Sequence, residues 1–169
     1  SMALTKLNFP SDTILQVKEI ATNGYSLTLS TSYVSTDLRL SITPSSISSK
    51  ILVIANVNVY DNTQAVHGAT TIYRDTSDPG NLQATPNAVD LADSPLGTYS
   101  GYGIGTAYVS GTGVSDFNNN VSTSILDQPN TTNPVWYFVS VKTTNASSTY
   151  VIKNLVGERS NLTLIELKG

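Results

Sequence analysis

Apolar and polar side chains alternate with a period of two in short runs along most of the chain, and turn-forming residues separate the runs. β-branched and aromatic residues dominate these runs, and no window has the i, i+3, i+4, i+7 spacing of an amphipathic helix over three turns. The alternation predicts ten short strands, at 13–20, 25–30, 33–43, 50–60, 69–75, 104–110, 121–127, 135–143, 150–155 and 161–167. Short strands joined by turn-rich segments are typical of an all-β sandwich, jelly roll or barrel.

Two of the predicted strands are apolar on both faces. In 50–60 the odd-numbered residues 51–59 are apolar, while Leu52 and Ile54 add apolar side chains to the opposite face. In 135–143 the side chains of Val139 and Val141 share one face, and Trp136 and Phe138 lie on the other. Because a solitary sandwich would leave one of these faces in water, we expect neighbouring protomers to cover it. The residues assigned to the core or a subunit interface are Leu52, Ile54, Trp136, Phe138, Val139 and Val141.

Residues 76–105 interrupt the strand pattern with Pro, Gly, Asn and Asp. The segment is too long for an ordinary connecting loop, so we expect an ordered excursion over the surface. Tyr, Ser, Gly and Asn are favoured in adaptable binding loops, and Tyr99 and Tyr102 stand among Ser and Gly residues. We therefore predict a receptor-recognition surface that includes Tyr99, Tyr102, Asn81 and Asn87. The alternative is that these tyrosines only pack against a neighbouring subunit or sheet.

The composition limits the domain organisation and the partners. The 169 residues contain no cysteine and one histidine, which excludes disulfides and leaves few ligands for a metal. Only 12% of the residues are charged, against about 25% in average proteins, so the surface is neutral and rich in hydroxyls and amides. A net charge of −3 without a basic cluster argues against nucleic acid, and no apolar run is long enough for membrane insertion. We expect one domain over residues 4–169, with residues 1–3 a cloning remnant.

Six stretches of the sequence carry a family resemblance. They are DTILQV (12–17), TSYV (31–34), LSITPSSISSKILV (40–53), ATTIYRD (69–75), VSVKT (139–143) and LTLIEL (162–167). The pattern resembles domains at the C-terminal ends of tail-fibre and other structural proteins of marine bacteriophages. Such domains are similar in strand layout to the trimeric jelly rolls of the C1q and tumour-necrosis-factor kind, so the resemblance implies a homotrimer of jelly rolls. The long insertion at 76–105 departs from the commoner pattern, and the resemblance implies no catalytic residues.

Candidates for catalysis are few. His67 is the one imidazole in the sequence, and a lone histidine ahead of a strand is more often packed or half-exposed than catalytic. A trimer would bring three copies of His67 together, which leaves open a metal or an anion on its axis. The aspartate pairs Asp75/Asp78 and Asp90/Asp93 stand in turn-like contexts, where Asp commonly bonds its own backbone. We therefore predict no catalytic residue, no metal ligand set and no cofactor.

Three functions fit these observations to different degrees. The first is a non-catalytic receptor-binding tip of a phage tail fibre or spike, a homotrimer on the virion exterior that binds a host surface glycan or protein. The second is a purely structural virion component, such as a capsid decoration or a trimerisation domain, that contacts only other virion proteins. The third is a glycan depolymerase or esterase, which the shortage of catalytic bases disfavours.

Overall fold

The computed structural model describes residues 13–22, 26–28, 30–61, 67–80, 88–91, 105–108, 117–143, 150–152 and 159–169. This part of the chain contains eleven strands and no helix. The strands are β1 (Ile14–Thr22), β2 (Ser26–Thr28), β3 (Val34–Ile42), β4 (Lys50–Asp61), β5 (His67–Asp75), β6 (Val89–Asp90), β7 (Gly105–Tyr108), β8 (Phe117–Asp127), β9 (Val135–Thr143), β10 (Tyr150–Ile152) and β11 (Ser160–Leu167). Over the same residues, no helical segment has the length and apolarity needed to span a bilayer. The all-β class is confirmed, and β6 is the strand that the sequence pattern did not predict.

The strands form two antiparallel sheets, named here sheet A and sheet B. In sheet A, β4 pairs with β8 on one side and with β11 and β10 on the other, while β1 pairs with β11 and β2 pairs with β10. In sheet B, β9 lies between β3 and β5, and β5 also pairs with β6 and β7. Without the short strands β2, β6 and β10, the orders are β1-β11-β4-β8 and β3-β9-β5-β7. The chain then changes sheet at every connection except that between β5 and β7, which is the arrangement of an eight-stranded jelly roll.

The core lies between the two sheets and is built from alternate residues of the central strands. In β11, Leu162 and Leu164 are fully buried, whereas Thr163 and Ile165 point outward and are half-buried. Each fully buried aliphatic side chain of this kind contributes about 1.5–3 kcal/mol through the hydrophobic effect. The inward-facing residues of the core cluster are Leu38, Ile42, Ile51, Val53, Ala55, Val57, Ile72, Val121, Val135, Tyr137, Val139, Val141, Leu162 and Leu164.

Strand β9 is buried on both faces by its own chain. Val139 and Val141 belong to the core, and Phe138 on the opposite face is 0% exposed in the single chain. The Phe138 ring stacks on Tyr73 of β5, with centroids 5.7 Å apart, and Trp136 is half-buried at the end of the strand. The two-sided apolar pattern of β9 therefore needs no neighbouring protomer, contrary to the reasoning from sequence. In β4, by contrast, Leu52 and Ile54 remain half-buried on the outer face, so a partner could still cover them.

The described parts of the 76–105 excursion lie against sheet B. The carbonyl oxygen of Gly80 accepts hydrogen bonds from Ser35 Oγ at 2.6 Å and from Arg39 Nη1 at 3.0 Å. Gly80 itself has φ of 59°, a left-handed conformation that glycine adopts without steric strain. Farther along, Val89 and Asp90 form β6 by pairing with Tyr73 and Arg74, so the excursion returns to the edge of β5. These contacts hold residues 76–80 and 88–91 against sheet B.

One buried carboxylate joins β11 to the turn that follows β3. Glu166 accepts hydrogen bonds from the Ser45 backbone N–H at 2.6 Å and from Gln16 Nε2 at 2.5 Å. Burial acts to raise the pKa of Glu166, but the hydrogen bonds from Gln16 and Ser45 outweigh it and hold the pKa below its ordinary value. No local pattern predicts this arrangement, because Glu166 occupies an inward position next to the buried Leu164 and Leu162 of the same strand.

Candidate functional site

A row of apolar side chains crosses the outer face of sheet A. Val17 of β1 stands opposite Ile165 of β11, Ile165 opposite Leu52 of β4, and Leu52 opposite Leu126 of β8. Val17 is 57% exposed and Leu126 is 54% exposed, while Ile165 and Leu52 are half-buried. We call these four residues the apolar row. A contiguous apolar surface of this kind on a folded chain is typical of a protein interaction site.

The apolar row arises from adjacent apolar pairs in three strands. Successive side chains of a strand point to opposite faces, so each pair supplies one residue to the core and one to the surface. The pairs are Ile51-Leu52, Leu164-Ile165 and Ile125-Leu126, in which Ile51, Leu164 and Ile125 face the core. The two-sided pattern of 50–60 predicts Leu52 alone among the four members of the row, although Ile165 and Leu126 carry the same signal.

Next to the apolar row, polar side chains form a hydrogen-bonded network across the same face. Asn56 Nδ2 donates to Asn161 Oδ1 at 2.9 Å, and Asn56 Oδ1 accepts from Ser122 Oγ at 2.7 Å. Asn120 Nδ2 donates to Asn58 Oδ1 at 2.8 Å and extends the network along β8 and β4. We call these five residues the amide ladder. The outer face of sheet A is therefore apolar at the apolar row and polar at the amide ladder.

A pocket of about 400 Å³ opens at one end of the sandwich, between the end of β5, strand β6 and the β8–β9 loop. We call it the end pocket. Its size lies at the lower end of the range of about 300–1,000 Å³ that is usual for small-ligand sites. Residues from the three elements line it: Arg74, Asp75, Thr76, Val89, Pro129, Thr131, Asn133, Pro134 and Val135.

Arg74 is fixed in the wall of the end pocket by a link between the two sheets. Its Nη1 donates to both carboxylate oxygens of Asp127 at 2.8 Å, and Asp127 ends β8 of sheet A. Tyr137 of β9 donates its hydroxyl to Asp127 Oδ2 at 2.7 Å. Burial raises the pKa of the Tyr137 hydroxyl, and the hydrogen bond and charge of Asp127 raise it further, so this phenol stays protonated. The guanidinium is thus held in place with its charge compensated.

The other polar groups of the pocket stand on ordered turns. Asp75 is 3% exposed, and its Oδ1 accepts from the backbone N–H groups of Thr76 at 2.6 Å and Ser77 at 3.3 Å. In the β8–β9 loop, Thr131 Oγ1 accepts from the backbone N–H of Asn133 at 3.0 Å. Asn130 in the same loop has φ of 55°, a left-handed conformation that Asn tolerates better than most residues. These turns set the outline of the pocket.

The residues predicted for recognition and assembly have different outcomes. Tyr99, Tyr102, Asn81 and Asn87 lie outside the described residues, so their role stays a prediction. His67 begins β5, and its side chain also lies outside the described part. Leu52 and Ile54 lie half-buried on the outer face of sheet A, in register with Leu126 and Ser124. Val139, Val141 and Phe138 are buried within the single chain, which agrees with a role in the core. A role in a trimer interface stays a prediction.

The end pocket is not predicted by the sequence. The turn context of Asp75 is visible there, but no local pattern marks Arg74, Thr131 or Asn133 as functional. Spacing could not reveal the pocket, because its walls come from β5, β6 and a loop more than 35 residues farther along the chain. A usable signal was the loop sequence Gln-Pro-Asn-Thr-Thr-Asn-Pro at 128–134, in which two prolines bracket amide and hydroxyl side chains.

Comparison with solved structures finds chains of similar fold, among them one from a virus. The sequence matches no protein-family model and no curated protein. A chain in the structure of infectious bursal disease virus, Gx strain, is similar over 99% of this chain and 37% of that chain, with 12% identity and a TM-score of 0.43. A likeness this distant carries no argument about function, so the strand order is the evidence for the jelly roll.

Proposed function

We propose that this chain is a non-catalytic binding domain on the exterior of a bacteriophage virion, at the tip of a tail fibre or spike. It assembles as a homotrimer and recognises a glycan or protein on the surface of the host. The sequence resemblance to structural proteins of marine phages supports the virion location. A jelly roll is compatible with such a role, but the fold alone does not select it.

The single observation that carries the proposal is the apolar row. Val17 and Leu126 are each more than half exposed, and the row they belong to runs across four strands of one sheet. Most soluble oligomers are symmetric assemblies of identical chains, which makes further copies of this chain the favoured partner. Burying the row would remove apolar surface from water at about 25 cal/mol per Å².

The polar character of the remaining surface supports recognition of a host ligand. Only 12% of the residues are charged, so hydroxyl and amide groups dominate the surface and suit uncharged polar ligands. A trimer presents three copies of each binding site, and linked sites raise the overall affinity well above that of one site. Individually weak contacts then suffice for attachment.

Assembly is tested by the molar mass in solution. Light scattering of the purified chain should give the mass of three chains at micromolar concentration. Leu126→Asp places a charge in the apolar row and should dissociate the trimer without unfolding the chain, because Leu126 faces away from the core. Ile47→Asp changes an isoleucine that is 65% exposed in the β3–β4 turn and should leave the trimer intact. A monomeric wild-type chain would contradict the proposal.

Recognition is tested by incubating the fluorescently labelled trimer with a panel of marine bacteria and with polysaccharide extracted from their envelopes. Binding to some strains, with no shortening of the polysaccharide, supports a receptor-binding tip. A trimer that binds no strain fits a purely structural virion component, and shortened polysaccharide would show an enzyme. Tyr99→Ala combined with Tyr102→Ala should weaken cell binding and leave the molar mass unchanged.

A further inference from the structure

We infer that the end pocket binds one uncharged saccharide unit, such as a neutral pyranose of a host surface glycan. The inference rests on the proposed function for its biological setting, and it names the ligand class and the residues involved. Three properties of the pocket lead to it: the polar groups that converge there, the balance of their charges and the apolar surface between them.

Hydrogen-bond donors and acceptors of different kinds face the same small space. Arg74 lines the wall with its guanidinium, which donates to Asp127 through Nη1. Thr76 and Thr131 supply hydroxyls, while the Asp75 carboxylate lines the wall and is already bonded to the backbone N–H groups of Thr76 and Ser77. Asn133 adds an exposed amide whose side chain has no hydrogen bond to any other described residue. A sugar hydroxyl both donates and accepts, so a mixed set of this kind matches neighbouring hydroxyls on one ring.

The charge balance of the pocket disfavours an anion. Arg74 contributes one positive charge, which the carboxylate of Asp127 already compensates at 2.8 Å. Asp75 adds a negative charge that is 3% exposed and close to the same wall. A phosphate, sulfate or uronate would therefore meet no uncompensated cation among the described lining residues. An uncharged polyol avoids this cost and still forms hydrogen bonds with hydroxyl and amide groups such as those of Thr131 and Asn133.

Apolar and rigid surfaces complete the fit to a sugar ring. Val89, Pro134 and Val135 offer apolar contacts to the C–H groups of a pyranose, and Val89 is 45% exposed at the pocket. Pro129 and Pro134 restrict the backbone of the β8–β9 loop, so little conformational entropy is lost on binding. A volume of about 400 Å³ holds a unit of this size and excludes a long stretch of folded peptide.

The amide ladder is a weaker candidate for the same ligand. Asn56, Asn161 and Ser122 already satisfy one another, at 2.7–2.9 Å. A sugar would have to break these bonds to use their polar atoms, whereas the exposed Asn133 amide of the end pocket makes no hydrogen bond to another described residue. The end pocket also lies at the base of the 76–105 excursion, since Thr76 and Val89 line it.

The test uses the full chain and free monosaccharides as probes. Saturation-transfer NMR at millimolar concentration compares glucose, galactose, mannose and N-acetylglucosamine with glucuronic acid and inorganic phosphate. At least one neutral sugar should give a signal, and the two anions should give none. Asn133→Ala should weaken the affinity for that sugar about tenfold, and Val89→Trp should abolish binding by filling the pocket. The matched controls Thr132→Ala and Ile47→Trp alter exposed residues outside the lining and should leave binding unchanged.

The outcomes separate this inference from the proposed function. Absence of any neutral-sugar signal, a signal from the anions alone, or binding that survives in Val89→Trp would overturn the pocket assignment. If wild type and Val89→Trp then bind bacterial cells equally well, the receptor-binding role stands and its ligand binds elsewhere. If a neutral sugar binds in the pocket and no bacterial strain is recognised, the pocket assignment stands and the receptor-binding role falls. Thermal unfolding of each variant establishes that loss of binding is not loss of fold.

Discussion

Arg74 of sheet B and Asp127 of sheet A are joined through one guanidinium nitrogen that lies 2.8 Å from both carboxylate oxygens. The side chains are 22% and 11% exposed, so the pair is largely shielded from water and salt. Asp127→Asn removes the charge that Arg74 needs and weakens the acceptor for the Tyr137 hydroxyl. We expect the free energy of unfolding to fall by about 1–3 kcal/mol, measured by urea denaturation.

A surface ion pair provides the control for this prediction. Asp37 is half-exposed and lies 3.9 Å from Arg39, a geometry in which screening leaves little net attraction. Asp37→Asn should therefore change the free energy of unfolding by less than about 0.5 kcal/mol. Equal losses in the two variants would mean that the Arg74–Asp127 contact is no stronger than an ordinary surface pair.

A substitution at Phe138 tests whether the single chain buries both faces of β9 without a neighbouring protomer. Phe138→Leu loses the stacking on Tyr73 and leaves a small cavity, so we expect a loss of about 1–3 kcal/mol in the free energy of unfolding. Because the ring is buried by its own chain, the loss should be the same at low and high protein concentration. Leu126→Ala is the control, since its effect should grow with concentration if Leu126 lies between protomers. A concentration-dependent loss in Phe138→Leu would instead place Phe138 at a subunit interface.

The sequence predicted the strands well because alternation of apolar and polar residues is a local signal. All ten predicted strands are present, and the ends of the long strand that begins at Lys50 agree within one residue. Strand β6 was not predicted because it has only two residues, Val89 and Asp90. They are extended because they pair with Tyr73 and Arg74 of β5, and a contact between distant segments leaves no local pattern in the sequence.

The candidate site was less predictable because it depends on contacts between distant segments. The apolar row needs the register of four strands, and the end pocket needs the β8–β9 loop to meet the end of β5. Two-sided apolar runs also have two explanations, burial within one chain and burial between chains. For Phe138 the first applies, while for Leu52 the outer face remains partly open. Sequence alone could not distinguish the two cases.

The amide ladder should be sensitive to a change that preserves shape. Asn56→Asp replaces the amide that donates to Asn161 Oδ1 at 2.9 Å by an oxygen, so two acceptors would face each other. Rotation of the Asn161 amide does not relieve the conflict, because its Nδ2 donates to Glu19 Oε1 at 3.1 Å. We expect a loss of about 1–2 kcal/mol in urea denaturation. Ser124→Asp adds the same charge at an exposed position of the same face, and a similar loss there would assign the effect to charge alone.

Glu166 makes the stability of the fold depend on pH in the acidic range. Its pKa is held below the ordinary value of about 4.5, so the folded chain keeps this carboxylate ionised at a pH where the unfolded chain has begun to protonate it. The unfolded state then binds more protons, and the free energy of unfolding rises with pH across that window. The contribution is complete above the ordinary pKa and is lost as the pH falls through the lowered one.

Glu166→Gln isolates this contribution. The amide keeps the size of the side chain but offers one oxygen to the Ser45 N–H and Gln16 Nε2, and its NH₂ faces one of these donors. We expect a loss of about 1–3 kcal/mol at pH 7 and a smaller difference from wild type at pH 3, because below the ordinary pKa the unfolded chain protonates this carboxyl group and the ionised form contributes less to stability. Urea denaturation at both pH values measures this, with Glu19→Gln as the control that makes the same change of charge at an exposed residue. A Glu166→Gln defect of equal size at pH 3 and pH 7 would show that Glu166 acts through packing and not through its ionised hydrogen bonds.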